Sequence, residues 1–353
     1  MPTVLLTGFP GFLGSKTTEH LLDRTDSDLS VTCLVEPRFM SAAETAAARL
    51  LSQRKDKTGR LNLIRGDITQ PDLGLGNRTA DLTRNVREIY HFAAVYHIGM
   101  SRETDMRVNV DGTRHVLDFA GQCPGLDRLH NVSTCYVSGR YDGTFYETDL
   151  EKGQRFNNYY EETKYLAEVE VRRRMQDGLP VTIYRPSVVA GDSRTGFTTK
   201  FDGIYYMIRW FLKFRRRVPM PIFDDPARYT FNVVPSDYAT SAITYLSSLP
   251  SSIGKVYQIA DPQPLTIEAI FKLLEEITNR KVIRLPVSGW IGPHRLPALK
   301  ILTGLEQKSF AYLTHPTTYD TTNTTRDLVP SGIKCPPLPE YLHRLVEFAE
   351  KHG

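Results

Sequence analysis

Apolar positions along this chain fall into short runs separated by longer amphipathic stretches. Residues 3–7, 31–35, 61–65, 88–92, 129–133 and 181–185 read as strands, with helix-period segments between them. That alternation predicts βαβ units and a parallel sheet. A parallel strand is covered on both faces and so reads as an unbroken apolar string, as Val4-Leu5-Leu6 and Leu34-Val35 do. The rhythm changes after Arg185. Residues 191–196 form a polar turn region, 204–212 a dense aromatic and apolar stretch, and 231–234 a returning strand. Residues 237–249 read as a helix, 256–260 as a short strand, and another helix begins near Leu265. A Pro-rich irregular tail follows. Its segment 330–339 is expected to dock on the surface before a last helix at 340–351.

The first strand runs into Thr7-Gly8-Phe9-Pro10-Gly11-Phe12-Leu13-Gly14, and a helical pattern follows from Ser15. Glycine at these places has physical reasons. Gly8 permits a tight turn, Gly11 lets backbone approach a pyrophosphate, and Gly14 lets helix and strand pack closely. The helix start, with Phe12 and Leu13, then supplies N–H groups and the positive end of a dipole. Strand, glycine loop and helix in this order predict a Rossmann fold: a doubly wound parallel sheet with a smaller, mostly helical C-terminal substrate lobe. The sheet domain is expected at 1–190 plus 230–262, and the lobe at 191–229 plus 263–353. At the end of the second strand stands Glu36, where an acid accepts hydrogen bonds from the ribose of NAD and repels a 2′-phosphate. Arg38, two residues on, suits that phosphate instead. The cofactor is expected to be NAD(P)(H), leaning to NAD(H) because the acid comes first.

Tyr160-Glu161-Glu162-Thr163-Lys164 lies in a helical segment, and i, i+4 spacing puts Tyr160 and Lys164 on one face. A free tyrosine titrates at roughly 10 and is a poor base at neutral pH. A nearby ammonium stabilises the phenolate. The pair can exchange a proton with a substrate oxygen while hydride moves at a nicotinamide, whose ribose the lysine can hold. Tyr159 and Tyr165 lack a lysine four residues later.

The glycine spacing resembles the short-chain dehydrogenase/reductase superfamily, extended type. The resemblance implies further site residues. Asp67, with Ile68, would contact adenine, although Asp67 also reads as a turn residue capping the next helix. Ala93 and Ala94 leave room for the cofactor, whereas His91 reads as a packed strand residue. Asn109 matches the superfamily's structural Asn behind the active site. Thr134, five residues before Gly139 and 26 before Tyr160, matches the hydroxyl that polarises the substrate carbonyl. Ser133 is the runner-up, and Pro186 and Val188 complete the cofactor set.

Within the superfamily, several strings resemble the thioester-reductase and fatty-acyl reductase branch, of male-sterility type. They are Cys33-Leu34-Val35, Gly66-Asp67-Ile68, Val132-Ser133-Thr134, the helix holding Lys164, Ala167 and Glu168, Arg185 through Ser193, and Asn232 through Tyr238. That branch usually has Arg where Glu36 stands and usually uses NADPH. Its substrate would be a small apolar molecule, alone or as an acyl-CoA or carrier-bound thioester. The rival is a nucleotide-sugar epimerase or dehydratase. Against it, Cys135 and Tyr136 occupy the places of a dehydratase's Asp-Glu, and Pro186-Ser187 replaces the sugar enzymes' Phe-Asn. A hydroxysteroid-like alcohol dehydrogenase and a non-catalytic NAD sensor are further readings, the sensor disfavoured by the intact trio. A homodimer through a helical bundle is implied by the superfamily alone.

Composition narrows this only a little. Of 353 residues, 41% are hydrophobic and 24% charged, as in ordinary globular enzymes, and a net charge of +4 gives no reason to expect nucleic acid. Four cysteines without a CxxC pair predict neither a zinc site nor a disulfide framework. The N-terminus lacks a signal-peptide pattern, and no apolar run reaches the roughly 20 residues of a membrane span. A cytoplasmic enzyme without metal is expected. The 204–212 stretch suits either an apolar pocket lining or lobe core. Lys213, Arg215, Arg216 and Arg217 after it form a short basic cluster, suited to an acidic carrier, a coenzyme A phosphate, an anionic membrane or plain solvent.

Overall fold

The computed structural model describes residues 2–24, 29–54, 59–96, 101–286 and 307–353. By contact they form two compact units. One comprises Met1–Val137, Tyr159–Arg185 and Thr240–Tyr257, the other Ser138–Asn158, Pro186–Ala239 and Gln258–Gly353.

The frame of the first unit is a seven-stranded parallel sheet of β1 (Thr3–Thr7), β2 (Ser30–Val35), β3 (Leu61–Arg65), β4 (Val86–His91), β5 (Arg128–Val132), β6 (Val181–Pro186) and β7 (Val256–Ile259). Their order is β7-β6-β5-β4-β1-β2-β3. The chain winds from β1 out to β3, returns to pair β4 with β1, and continues the other way. That reversal is the switch point of a doubly wound sheet, where ligands bind beyond the strand C-termini. Helices α1 (Phe12–Leu22), α2 (Met40–Ser52), α3 (Gly112–Gly121) and α4 (Tyr159–Gln176) connect and cover it. The unbroken apolar run of β1 has a simple cause. Leu5 packs into one apolar cluster with Val116, Phe119, Val171 and Ile183, while Val4 and Leu6 pack into another with Leu21, Val31 and Ala43. Alternation sends successive side chains to opposite faces, and both faces are buried.

The second unit contains α5 (Ile204–Lys213), α6 (Ile267–Thr278) and α7 (Leu338–His352). Three two-stranded parallel ribbons accompany them: Val188–Ala190 with Val233–Pro235, Arg217–Ile222 with Lys281–Pro286, and Gly143–Phe145 with Thr317–Tyr319. Its core joins Ile204, Tyr205, Ile208 and Phe211 of α5 to Ile270, Phe271 and Leu274 of α6 and Tyr341, Leu342 and Leu345 of α7. The aromatic 204–212 stretch is therefore packing, and its pocket-lining reading is corrected: the stripe faces two helices that no local pattern could reveal.

The segment 138–158, which the sequence boundaries assigned to the sheet domain, groups with the second unit. Beyond the Gly143–Phe145 ribbon, the buried Glu147 carboxylate accepts the backbone N–H of Gln258 at 2.9 Å, the N–H of Thr324 at 3.1 Å and the Thr324 hydroxyl at 2.7 Å. Much of the irregular tail expected after α6, 287–306, lies outside the described residues. Among the described residues no group of three or more His, Cys, Asp or Glu is placed to hold a metal, and no helix is long and apolar enough to cross a membrane.

Candidate active site

The loop after β1 is built by close approach. Gly8 has φ +93°, and a Cβ there would lie 2.8 Å from the Ala93 nitrogen and the Phe92 carbonyl carbon at the end of β4. A Cβ on Gly14 would sit 2.6 Å from the Gly8 carbonyl oxygen. Any side chain at these places would fill the cradle at the start of α1. Gly11 is the N-cap of α1 and caps it with no side chain, so the backbone N–H groups of the first turn face the loop. These residues fit a dinucleotide pyrophosphate, which takes such N–H groups and the dipole end of the helix.

The other cofactor candidates are placed as follows. The Ala93 N–H donates to the Thr7 hydroxyl at 3.2 Å, and Ala93 and Ala94 are half-buried. His91 is a packed strand residue: its ring nitrogens lie 2.8 Å from the Thr7 hydroxyl and 3.1 Å from the Thr113 hydroxyl. Burial, followed by the Lys164 charge, lowers its pKa to about 3. Asp67 accepts the Thr69 N–H at 2.8 Å, a turn role. Ile68 is buried, and its carbonyl lies 2.8 Å from His115 Nδ1. Glu36 and Arg38, which the sequence set in competition, are paired with each other at 2.6 Å on the surface. Pro186 closes β6, and Val188 is half-buried in the Val188–Ala190 ribbon; both belong to the second unit.

Helix α4 carries Tyr160 and Lys164 one turn apart. The Lys164 ammonium is buried and donates to the Val132 carbonyl at 2.8 Å, at the end of β5 and two residues before Thr134. Burial lowers its pKa to about 8, against an upward pull from Glu168. The Tyr160 ring meets Tyr96 edge-on, centroids 6.1 Å apart. Thr134 is buried, and its hydroxyl accepts the Tyr136 N–H at 3.3 Å. The runner-up hydroxyl, Ser133, points elsewhere and donates to Glu168 Oε2 at 2.6 Å. Asn109 ties Val95, beyond the end of β4, to α4. Its carboxamide accepts the Val95 N–H at 2.9 Å and donates at 3.0 Å to both the Val95 carbonyl and the Thr163 hydroxyl of α4. Sequence reasoning quoted Glu168 and Arg185 only as matching strings. Their ion pair is 2.6 Å and fully buried, and its signal in the sequence is a charged residue, Arg185, inside a strand buried along its whole length.

A family model described as male sterility protein matches residues 6–243. The non-canonical nonribosomal peptide synthetase cpsA of Aspergillus campestris is 26% identical over 374 residues, covering 96% of this chain and 35% of that protein. Aldehyde reductase lnbA of Aspergillus flavus is 26% identical over 307 residues, covering 82% of this chain and 30% of the relative. The chain thus spans a minor part of the length of these curated relatives. The terminal R domain from the myxalamid PKS-NRPS biosynthetic pathway superposes with a TM-score of 0.83 at 27% identity, covering 100% of this chain and 91% of that one. From the glycine cradle to the Tyr160–Lys164 helix, sequence and fold agree: the chain belongs to the male sterility protein family and has the fold of the terminal reductase domain it superposes on.

Proposed function

We propose that this chain reduces the carbonyl of an apolar acyl thioester or aldehyde, with Tyr160 as the acid, Thr134 as the carbonyl's hydrogen-bond donor and Lys164 as the cation behind Tyr160. The observation that carries this reading is the buried Lys164 ammonium, one helical turn from Tyr160 and bonded to the strand end that leads to Thr134. NAD(P)H, when bound at the glycine cradle, supplies the hydride. The Thr134 hydroxyl draws electron density onto the carbonyl oxygen. The Tyr160 proton passes to that oxygen as it gains charge, and Lys164 stabilises the phenolate left behind. With a thioester, the thiol then leaves and an aldehyde forms. The synthetase and aldehyde reductase among the relatives support a carrier-bound thioester and an aldehyde as substrates. The test is absorbance at the reduced-nicotinamide band with NADH or NADPH against long-chain acyl-CoA, aldehydes, ketones and UDP-sugars. Loss of absorbance with thioester or aldehyde is expected. Turnover of a UDP-sugar with no net redox change would overturn the reading.

We infer NAD(H) as the preferred cofactor, since Glu36 holds Arg38 and draws its charge away from a 2′-phosphate. Glu36→Arg is expected to move the ratio of kcat/KM values toward NADPH by about tenfold or more, from one removed repulsion and one added phosphate contact. An unchanged ratio contradicts the assignment.

Lys213, Arg215, Arg216 and Arg217 are exposed, with Lys213 over the Trp210 ring at 5.2 Å. They suit an acidic carrier surface. Reversing Arg215 and Arg216 to Glu is expected to raise KM about tenfold for a carrier-linked thioester while leaving KM for a free aldehyde unchanged. Equal changes for both substrates would contradict carrier docking there.

A further inference from the structure

We propose that Glu168 is a positioning residue of the reductase site, whose carboxylate brackets Thr134 and steadies the Lys164 ammonium. This rests on the roles given to Thr134, Tyr160 and Lys164 above. Glu168 stands one turn beyond Lys164 and two beyond Tyr160, fully buried on α4. Its carboxylate gathers donors from three elements. Ser133, at the end of β5, donates its hydroxyl at 2.6 Å. Arg185, on β6, donates Nη2 at 2.6 Å and Nε at 3.0 Å. Arg172, a turn further along α4, adds Nε at 3.1 Å. The Arg185 carbonyl in turn accepts the Cys135 thiol at 3.0 Å.

The consequence is a closed frame around Thr134. Ser133 before it is tied to Glu168, Cys135 after it to Arg185, and Val132 two places before it to Lys164. A hydroxyl aimed at a carbonyl loses much of its effect when displaced by an ångström, so such a frame is what an oriented donor requires.

The frame also acts electrostatically. Burial pushes the Glu168 carboxyl up, but Arg185, Arg172 and Ser133 together bring it below its ordinary value, so it is ionised where the lysine charge matters. Among the described residues, the titratable groups whose charges couple to Lys164 are Glu168 on its own helix and His91 on β4. His91 is neutral at working pH, which leaves Glu168 as the anion that offsets burial of the ammonium.

The test is an NMR titration of Lys164, labelled with ¹³C at Cε, in the full chain without cofactor, beside pH profiles of kcat/KM. Glu168→Gln alone strands Arg185 as a buried cation, so the paired variant Glu168→Gln/Arg185→Met, which removes both charges, is measured with it. In wild type the midpoint is expected at about 8, and turnover falls as pH rises through it because the cation is lost. In the folded double variant the midpoint and the falling limb both move down by about half a unit or more. Ser133→Ala keeps the carboxylate, so it lowers kcat and leaves the midpoint in place. A midpoint and limb unmoved in the double variant overturn the proposal. Wild-type turnover in Tyr160→Phe overturns the reading of Tyr160 instead, whatever Lys164 does.

Discussion

Tyr160→Phe is expected to cut turnover by about 10²–10⁴-fold, the range over which a positioned acid contributes, and to leave cofactor affinity in place. The change deletes one oxygen and keeps the ring against Tyr96, where the aromatic contact needs no hydroxyl. The Lys164 bond to Val132 does not involve the phenol, so that support of the strand end survives. The glycine cradle is built from β1, α1 and the end of β4, none of which the substitution touches. Fluorescence titration with NADH or NADPH should therefore give a wild-type curve while steady-state rates collapse. A variant that turns over like wild type would assign the acid elsewhere. The neighbouring Tyr159, which is exposed, would then need testing.

The second large effect concerns stability. Arg185→Ala is expected to lower unfolding free energy by about 3–5 kcal/mol, the cost of leaving one member of a buried ion pair without its partner. Arg185 and Glu168 have no exposed side-chain surface, so the carboxylate left behind lies away from bulk water. Arg172 also reaches Glu168 at 3.1 Å and recovers only part of the interaction, because its own side chain is partly solvated. Urea denaturation followed by circular dichroism reads the change as a lower midpoint at constant slope. Replacing both charges, in Glu168→Gln/Arg185→Met, should restore much of the loss, since apolar or neutral substitutes for a whole buried pair are often tolerated. Were Arg185→Ala as stable as wild type, the pair would carry no structural weight.

Much of the first unit was legible because its physics is local. β1 and β2 announce themselves as unbroken apolar strings, since both faces of a parallel sheet are covered. The loop glycines follow from backbone geometry: Gly8 at positive φ against Phe92 and Ala93 leaves no room for a side chain. Tyr160 and Lys164 follow from helical spacing. What escaped was set by partners distant in sequence. Glu147 reaches Gln258 and Thr324, across 111 and 177 positions, and no local pattern in 138–158 carries that pairing. The 204–212 stripe had the composition of a pocket wall and of a core alike, and only α6 and α7 packing on it decided between them. Glu36 and Arg38 were read as alternatives because sequence places them side by side without showing that they bond.

Hydride is expected to pass from the nicotinamide to a substrate carbonyl beside Tyr160. The most direct measurement is isotope transfer, with reduced cofactor carrying deuterium at both C4 positions, an acyl thioester or aldehyde as acceptor, and mass spectrometry of the product. One deuterium is expected on the former carbonyl carbon of each aldehyde reduced by wild type, and almost no labelled product with Tyr160→Phe. Product formed at full rate without deuterium, or label lost to water, would contradict it.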